Sequence, residues 1–261
     1  MKASPKSETD AEEHATLRAS KDFQDQLKHL QRTRDSFIKA FLAITLYSSR
    51  TPYLCRKSLL FSDAEDILQS TTSYAAMVPE GVLNVTRREL RYILETVCTH
   101  YYVDSKQFDK SLEERVSFLH FLGRQPKIDL LTEIDFMAFS EQQRKDFGDD
   151  ISQLYSLLCE FVHPSAQQLE ERIRKREAGR FSGFEGVEDL RRLNRDIFRT
   201  LDIVLAVYLH ALSLPLAGDI FIQLLDDDQN WKFHKGRWCS VISHYFDYKH
   251  ERQTKPTGPR E

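Results

Sequence analysis

"RRELRYILETVCTHYY", Arg87 to Tyr102, is the stretch whose periodicity decides the fold. Leu90, Ile93, Leu94, Val97, Cys98 and Tyr101 recur at steps of three and four, which places them on one continuous face of a 3.6-residue period. Arg87, Arg88, Arg91 and Glu95 lie off that face. The segment is an amphipathic helix, and a helix with one apolar stripe must bury it against others.

The same period extends in both directions. Upstream, Phe23, Leu27, Leu30, Phe37, Ile38, Phe41 and Leu42 mark a long helix that ends at "RTPY", because Pro52 cannot continue it. A shorter helix follows Ser62, where "SDAE" reads as a capping box. Downstream, Ser111 to Leu122 gives a short helix closed by Gly123, and Phe136 to Phe147 is helical in part, with its continuity through Gly148 left open. Ile151, Leu154, Tyr155, Leu158, Phe161 and Val162 form the next apolar stripe, which stops at Pro164, and Ser165 with Gln168 opens "SAQQLEERIRKRE". Leu190 to Leu212 builds a long helix ending before Pro215. No strand-like alternation is sustained and no repeat of 20 to 50 residues occurs. The expected fold is therefore all-α: four to five major helices in a bundle, with a small C-terminal aromatic subdomain. The expected divisions are a disordered N-terminus over 1–15, the bundle over 16–225, the aromatic subdomain over 226–252 and a loose tail over 253–261.

Composition narrows the function classes. The chain has 261 residues, 41% of them hydrophobic and 30% charged, with a formal net charge of -3, so overall charge directs it neither to nucleic acid nor to a membrane surface. Cys55, Cys98, Cys159 and Cys239 contain no C-x-x-C pair, which argues against a zinc or thioredoxin-like site. Cys98 and Cys159 fall on apolar helical faces, as buried thiols do. The first residues lack an apolar signal core, and "IVLAVYLHALSLPLAGDIFI" is broken by His210, Pro215, Gly218 and Asp219. A cytoplasmic protein with no membrane span, no cofactor and no metal is expected.

Polar stripes run beside two of the apolar ones. Ser152, Ser156, Glu160 and His163 share one, and Arg88, Arg91, Glu95, Thr99 and Tyr102 share the other. A stripe that is partly buried needs a partner, so these two helices should be neighbours, with the stripes facing across a cleft. A purely structural account also exists. Arg91 with Glu95 is an i, i+4 pair, and His163 near a helix C-terminus interacts well with the macrodipole. Arg172, Arg174, Lys175 and Arg176 are interleaved with Glu170, Glu171 and Glu177, which describes a solvated face as well as a phosphate-binding one.

"RRELRYILETVCTHYY" followed by "LYSLLCEFVHPS", Leu154 to Ser165, resembles the prokaryotic HEPN-like helical proteins over roughly 85–212, notably a branch whose late helix reads Tyr, a small residue, then a terminal His. The resemblance implies a four- or five-helix bundle, often a homodimer, that cuts or binds RNA in antiviral defence or toxin–antitoxin systems beside an antitoxin or defence component. The ribonuclease members use an arginine, then four to six intervening residues, then a histidine, without a metal. His163 has no such arginine, while Arg115 with His120 and Arg237 with His244 fit that spacing. Two expectations follow. One is a metal-independent ribonuclease with His163 as general acid/base, Arg91 on phosphate and Glu95 or Glu160 orienting the histidine, and Arg88, Arg172, Arg174, Lys175 and Arg176 binding RNA. The other is a non-catalytic helical adaptor that docks a protein partner.

Overall fold

The computed structural model describes residues 5–123, 134, 136–161, 166–177, 185–225, 228 and 230–246. Among them no strand occurs. The helices are α1 (Pro5–Ala19), α2 (Lys21–Ser48), α3 (Pro52–Lys57), α4 (Leu59–Ser62), α5 (Ala64–Met77), α6 (Leu83–Lys106), α7 (Leu112–Leu122), α8 (Glu141–Cys159), α9 (Ala166–Glu177), α10 (Val187–Ala211), α11 (Leu214–Ile220) and α12 (Arg237–Tyr245). A π-turn, Phe221–Leu225, and a 3-10 turn, Lys232–Lys235, connect α11 to α12.

α10 is the axis of the molecule. Every residue from Thr200 to Leu209 is buried, because α2, α6, α8 and α12 close around it. α5 lies between α2 and α6, and α6 packs on α8, as the two partly polar stripes require. Local sequence sets the ends. Ser20 Oγ accepts from the Phe23 N–H at 3.3 Å to start α2. Ser111 with Glu114 and Ser140 with Gln143 form reciprocal capping boxes on α7 and α8. Gly123, at φ 71°, ends α7 in a left-handed conformation that a residue with Cβ adopts at a cost.

Three buried carboxylates tie elements that are far apart in sequence. Asp104 on α6 accepts from the Leu59 and Leu60 amides at 3.0 and 3.1 Å and from Arg115 Nη1 at 2.7 Å, so one charge caps α4 and anchors the fully buried Arg115 of α7. Asp202 on α10 accepts from the Trp238 and Cys239 amides at 2.8 and 3.1 Å and thereby caps α12. Gly236 stands where a methyl group would fall on the Asp202 carboxylate, 2.7 Å from its carbon. Asp150 on α8 takes the Trp238 indole N–H at 2.7 Å and Arg199 Nε at 2.7 Å.

Several expectations change. α1 occupies most of the stretch read as disordered, residues 1–15, starting at Pro5. The capping box at Ser62 is absent: Ser62 ends α4, its Oγ donates to the Ser58 carbonyl at 2.8 Å, and Asp63 instead pairs with His100. Gly148 does not break its helix, since it is buried inside α8 between Phe147 and Ile151, whose packing offsets the roughly 1 kcal/mol that a helical glycine costs. Leu42 is 50% exposed, on the outer edge of α2. Cys98 is buried as expected, whereas Cys159 is only half-buried at the end of α8. Trp231, Phe233, Trp238 and Ile242 belong to the same hydrophobic cluster as α2 and α10, so the aromatic segment expected as a subdomain over 226–252 is, where described, part of the one core. No helix among the described residues is long and apolar enough to cross a membrane.

Candidate functional site

α6 and α8 meet through an arginine and a glutamate from the polar stripe of α6 and a tyrosine from the apolar stripe of α8. Leu90, Ile93 and Leu94 on α6 and Ile151, Leu154 and Leu158 on α8 are buried, which turns the flanking residues of both helices toward the same seam. There Arg91 Nη2 donates to Tyr155 Oη at 2.9 Å and lies 3.1 Å from Glu95 Oε2. Tyr155 Oη in turn donates to Glu95 Oε2 at 3.4 Å, and the Arg91 guanidinium sits 5.2 Å from the centre of the tyrosine ring.

One turn away, two more arginines hold the end of α8. Arg88 Nε donates to the Phe161 carbonyl at 3.0 Å, a bond that satisfies an acceptor beyond the last helical turn. The Arg87 guanidinium lies 4.3 Å over the Phe161 ring and 3.6 Å from Asp196 Oδ2 on α10. Three arginines of α6 therefore fasten α8 and α10 to it.

Electrostatics sorts these groups by what they can exchange. Burial pushes the Tyr155 hydroxyl up to about 12, against the Arg91 hydrogen bond that favours its ionisation, with Cys159 and Glu95 adding to the rise. Burial works against the charge of Arg91, yet the Tyr155 hydrogen bond and the Glu95 carboxylate together hold its pKa above the ordinary value. Burial raises Asp196, opposed by Arg87. Neither Arg91 nor Tyr155 therefore exchanges a proton near neutral pH, and each is already engaged with a neighbour in the fold.

The sequence-derived candidates distribute as follows. Arg88, Arg91 and Glu95 come together on the α6 side of the seam. Glu160 is the C-cap of α8, exposed, one residue before the Phe161 that Arg87 and Arg88 hold. His163 lies outside the described residues. Arg172, Arg174, Lys175 and Arg176 fall on α9, where Arg174 and Arg176 are exposed. The alternative pairs dissolve: Arg115 is buried against Asp104 while His120 is exposed, and the His244 Nδ1 is 2.5 Å from the Ser240 carbonyl of its own helix. Tyr155 is the participant that sequence reasoning missed. It was counted in the apolar stripe, and its signal was a hydroxyl at the stripe's edge, between Ser152 and Ser156. Among the described residues no group of three or more His, Cys, Asp or Glu could hold a metal ion.

Comparison with protein-family models, with curated proteins and with solved structures gives no match for this chain.

Proposed function

We propose that this is a helical RNA-binding protein of the HEPN-like kind, acting in a bacterial defence or toxin–antitoxin setting by binding RNA and not by cutting it. The observation that carries the non-cutting part is the seam itself: Arg87 is held by Phe161 and Asp196, Arg91 by Tyr155 and Glu95, and Arg88 gives its Nε to the Phe161 carbonyl. An arginine that stabilises charge on a reacting phosphate needs its donors aimed at that phosphate, and a general base needs a pKa near the working pH. Tyr155, displaced to about 12, does not supply one. The RNA-binding part draws on the resemblance of "RRELRYILETVCTHYY" and "LYSLLCEFVHPS" to that family, on the all-helical architecture and on the exposed Arg174 and Arg176.

The test pairs binding with cleavage. Single-stranded RNA should bind with an affinity that falls as salt rises, because neutralised phosphates release counterions, and the RNA should remain intact on prolonged incubation. RNA cleavage by the wild-type chain that is abolished in His163→Ala, with an unchanged melting temperature, would establish His163 as a general acid/base and overturn the non-cutting reading.

One observation favours a protein-docking adaptor as the second reading. On α9, Leu169 and Ile173 lie one turn apart and are 59% and 46% exposed, an apolar edge on an otherwise charged helix. Absence of RNA binding at low salt, together with loss of a copurifying protein on Leu169→Asp, selects that reading.

A further inference from the structure

A second polar surface lies away from the α6–α8 seam, in a groove of ≈ 800 Å³ between α2 and the turn that leads into α12. Its walls are fixed. The Trp231 indole N–H donates to the Ser36 carbonyl at 3.0 Å and the Lys232 amide donates to Ser36 Oγ at 3.3 Å, so the 3-10 turn Lys232–Lys235 is pinned along α2. Trp231 is buried, and Phe233 stacks parallel on Phe198 at 4.8 Å, leaving Phe198 half-buried as an apolar part of the groove's lining.

Basic side chains converge on this groove, and His29 among them is a neutral acceptor for Lys232. His29, Arg32 and Lys39 enter from α2, and Lys232 and Lys235 from the turn. Lys232 Nζ stands 3.0 Å from His29 Nδ1. The two described carboxylates in the lining are already engaged: Asp35 receives Arg34 at 2.8 and 2.7 Å, and Asp228 receives Lys39 and the Asn230 amide, the latter at 2.9 Å. Among the described residues no carboxylate pairs with Arg32, Lys232 or Lys235. Burial and then the Lys232 and Arg32 charges push His29 down, and burial and then Arg32 push Lys232 down. Like charges held together by the fold, with donors facing one space, are what an incoming anion relieves.

We infer that this groove is a phosphate-binding site for a nucleotide, with Arg32, Lys232 and Lys235 on the phosphate and Phe198 as the apolar surface for the sugar or base. The volume falls in the range of small-molecule sites, about 300 to 1,000 Å³. An aromatic wall beside a cationic one is the combination that single-stranded nucleic acid uses, phosphate on charge and base on ring. The nucleotide is either free or one unit of an RNA strand. The strand form rests on the RNA-binding reading above, and the free form does not.

Isothermal titration of the full chain with adenosine 5′-monophosphate and with a ten-nucleotide uridine RNA, each at low and moderate salt, separates the two sources. The wild type is expected to bind both, more weakly at higher salt. Arg32→Gln with Lys232→Met should lose at least tenfold in affinity for both and flatten the salt dependence, since two phosphate contacts are gone. Arg56→Gln with Lys57→Gln, which removes the same charge from α3 beyond the far end of α2, should bind within about twofold of wild type. Because Lys232 is partly buried, the exposed Lys235→Glu is the companion variant, expected to weaken binding without lowering the melting temperature. RNA bound as tightly by both groove variants as by wild type overturns the groove and leaves the RNA-binding reading standing. The monophosphate bound in the groove with no RNA binding supports the groove and removes that reading. Binding of neither ligand removes both.

Discussion

Asp202→Asn isolates the buried carboxylate that holds α12. The wild-type side chain is 2% exposed, its two oxygens each accept one amide from the start of α12, and burial pushes its pKa from 3.8 up to about 6, with the Trp238 and Cys239 bonds opposing and the Asp150 charge adding to the rise. The sign follows from proton uptake. The folded chain binds this proton more tightly than the unfolded chain does, so the stabilisation from protonating Asp202 is complete below pH 3.8 and is lost as pH rises through 6. At 1.36 kcal/mol per tenfold, the displacement corresponds to about 3 kcal/mol, of which about 2 to 3 kcal/mol develops between pH 7 and pH 4. Asparagine keeps the shape and one acceptor but cannot titrate. One α12 amide then faces an NH2 group, which lowers stability by about 1 to 2 kcal/mol at every pH. Urea unfolding of both proteins at pH 4, 5, 6 and 7 should therefore give stability curves that diverge toward acid, the wild type gaining on the variant by the stated amount, while the other titrating groups largely cancel in the difference. Parallel curves across that range would refute the account of Asp202 as a cap whose burial makes it a weaker acid than in the unfolded chain.

His210 acts in the opposite direction. Burial pushes its imidazole down to about 4, against the hydrogen bond to the Ala206 carbonyl at 2.8 Å, so its contribution is present above pH 6.5 and lost as pH falls through 4. His210→Phe should retain about 2 kcal/mol more than wild type of its pH 7 stability when unfolded at pH 4.5, and no difference in slope would reject this. Arg115→Met, at a position with no exposed surface, removes a partner of Asp104 and should cost about 3 to 5 kcal/mol in the urea transition, with less than 1 kcal/mol counting against the buried pair as an anchor. Leu94→Asp or Leu158→Asp places a carboxylate at a fully buried point of the α6–α8 contact, and circular dichroism should show an unfolded chain. A cooperative melt at the wild-type temperature would mean that the core has been misassigned.

Much of this architecture could be read from the chain because helices advertise themselves locally. Leu90 through Tyr101 and Leu190 through Leu212 needed only their period, and Ser111 and Pro52 marked boundaries by chemistry confined to a few residues. The adjacency of α6 and α8 followed from one further step, that two half-polar helices cover each other. The errors and the open points share a different origin. Gly148 is carried inside a helix because Phe147 and Ile151 are buried against distant elements, and Ser62 ends α4 with its Oγ on the Ser58 carbonyl instead of capping the next helix. The spacing pairs Arg115 with His120, whereas its partner in the fold is Asp104 on another helix, and Tyr155 reads as a core aromatic because its hydroxyl's partners also belong to another helix. The groove between α2 and the Lys232 turn was wholly hidden for the same reason: His29 and Lys232 are 203 positions apart.

The pinning of the α12 lead-in against α2 governs when the protein can become itself during synthesis. Ser36 waits for Trp231, 195 residues later, and Lys39 waits for Asp228, 189 residues later. A nascent chain can form α2 early but cannot cover its apolar face with Phe233 until some two hundred residues more have been made, and a helical protein that would otherwise fold from local contacts acquires a long-range closing step. Phe37, sealed in the finished molecule, lacks its Phe233 neighbour on any chain that stops short of it, so that a ribosome stalled before Trp231 presents a sticky, protease-sensitive intermediate for chaperones or proteases to find.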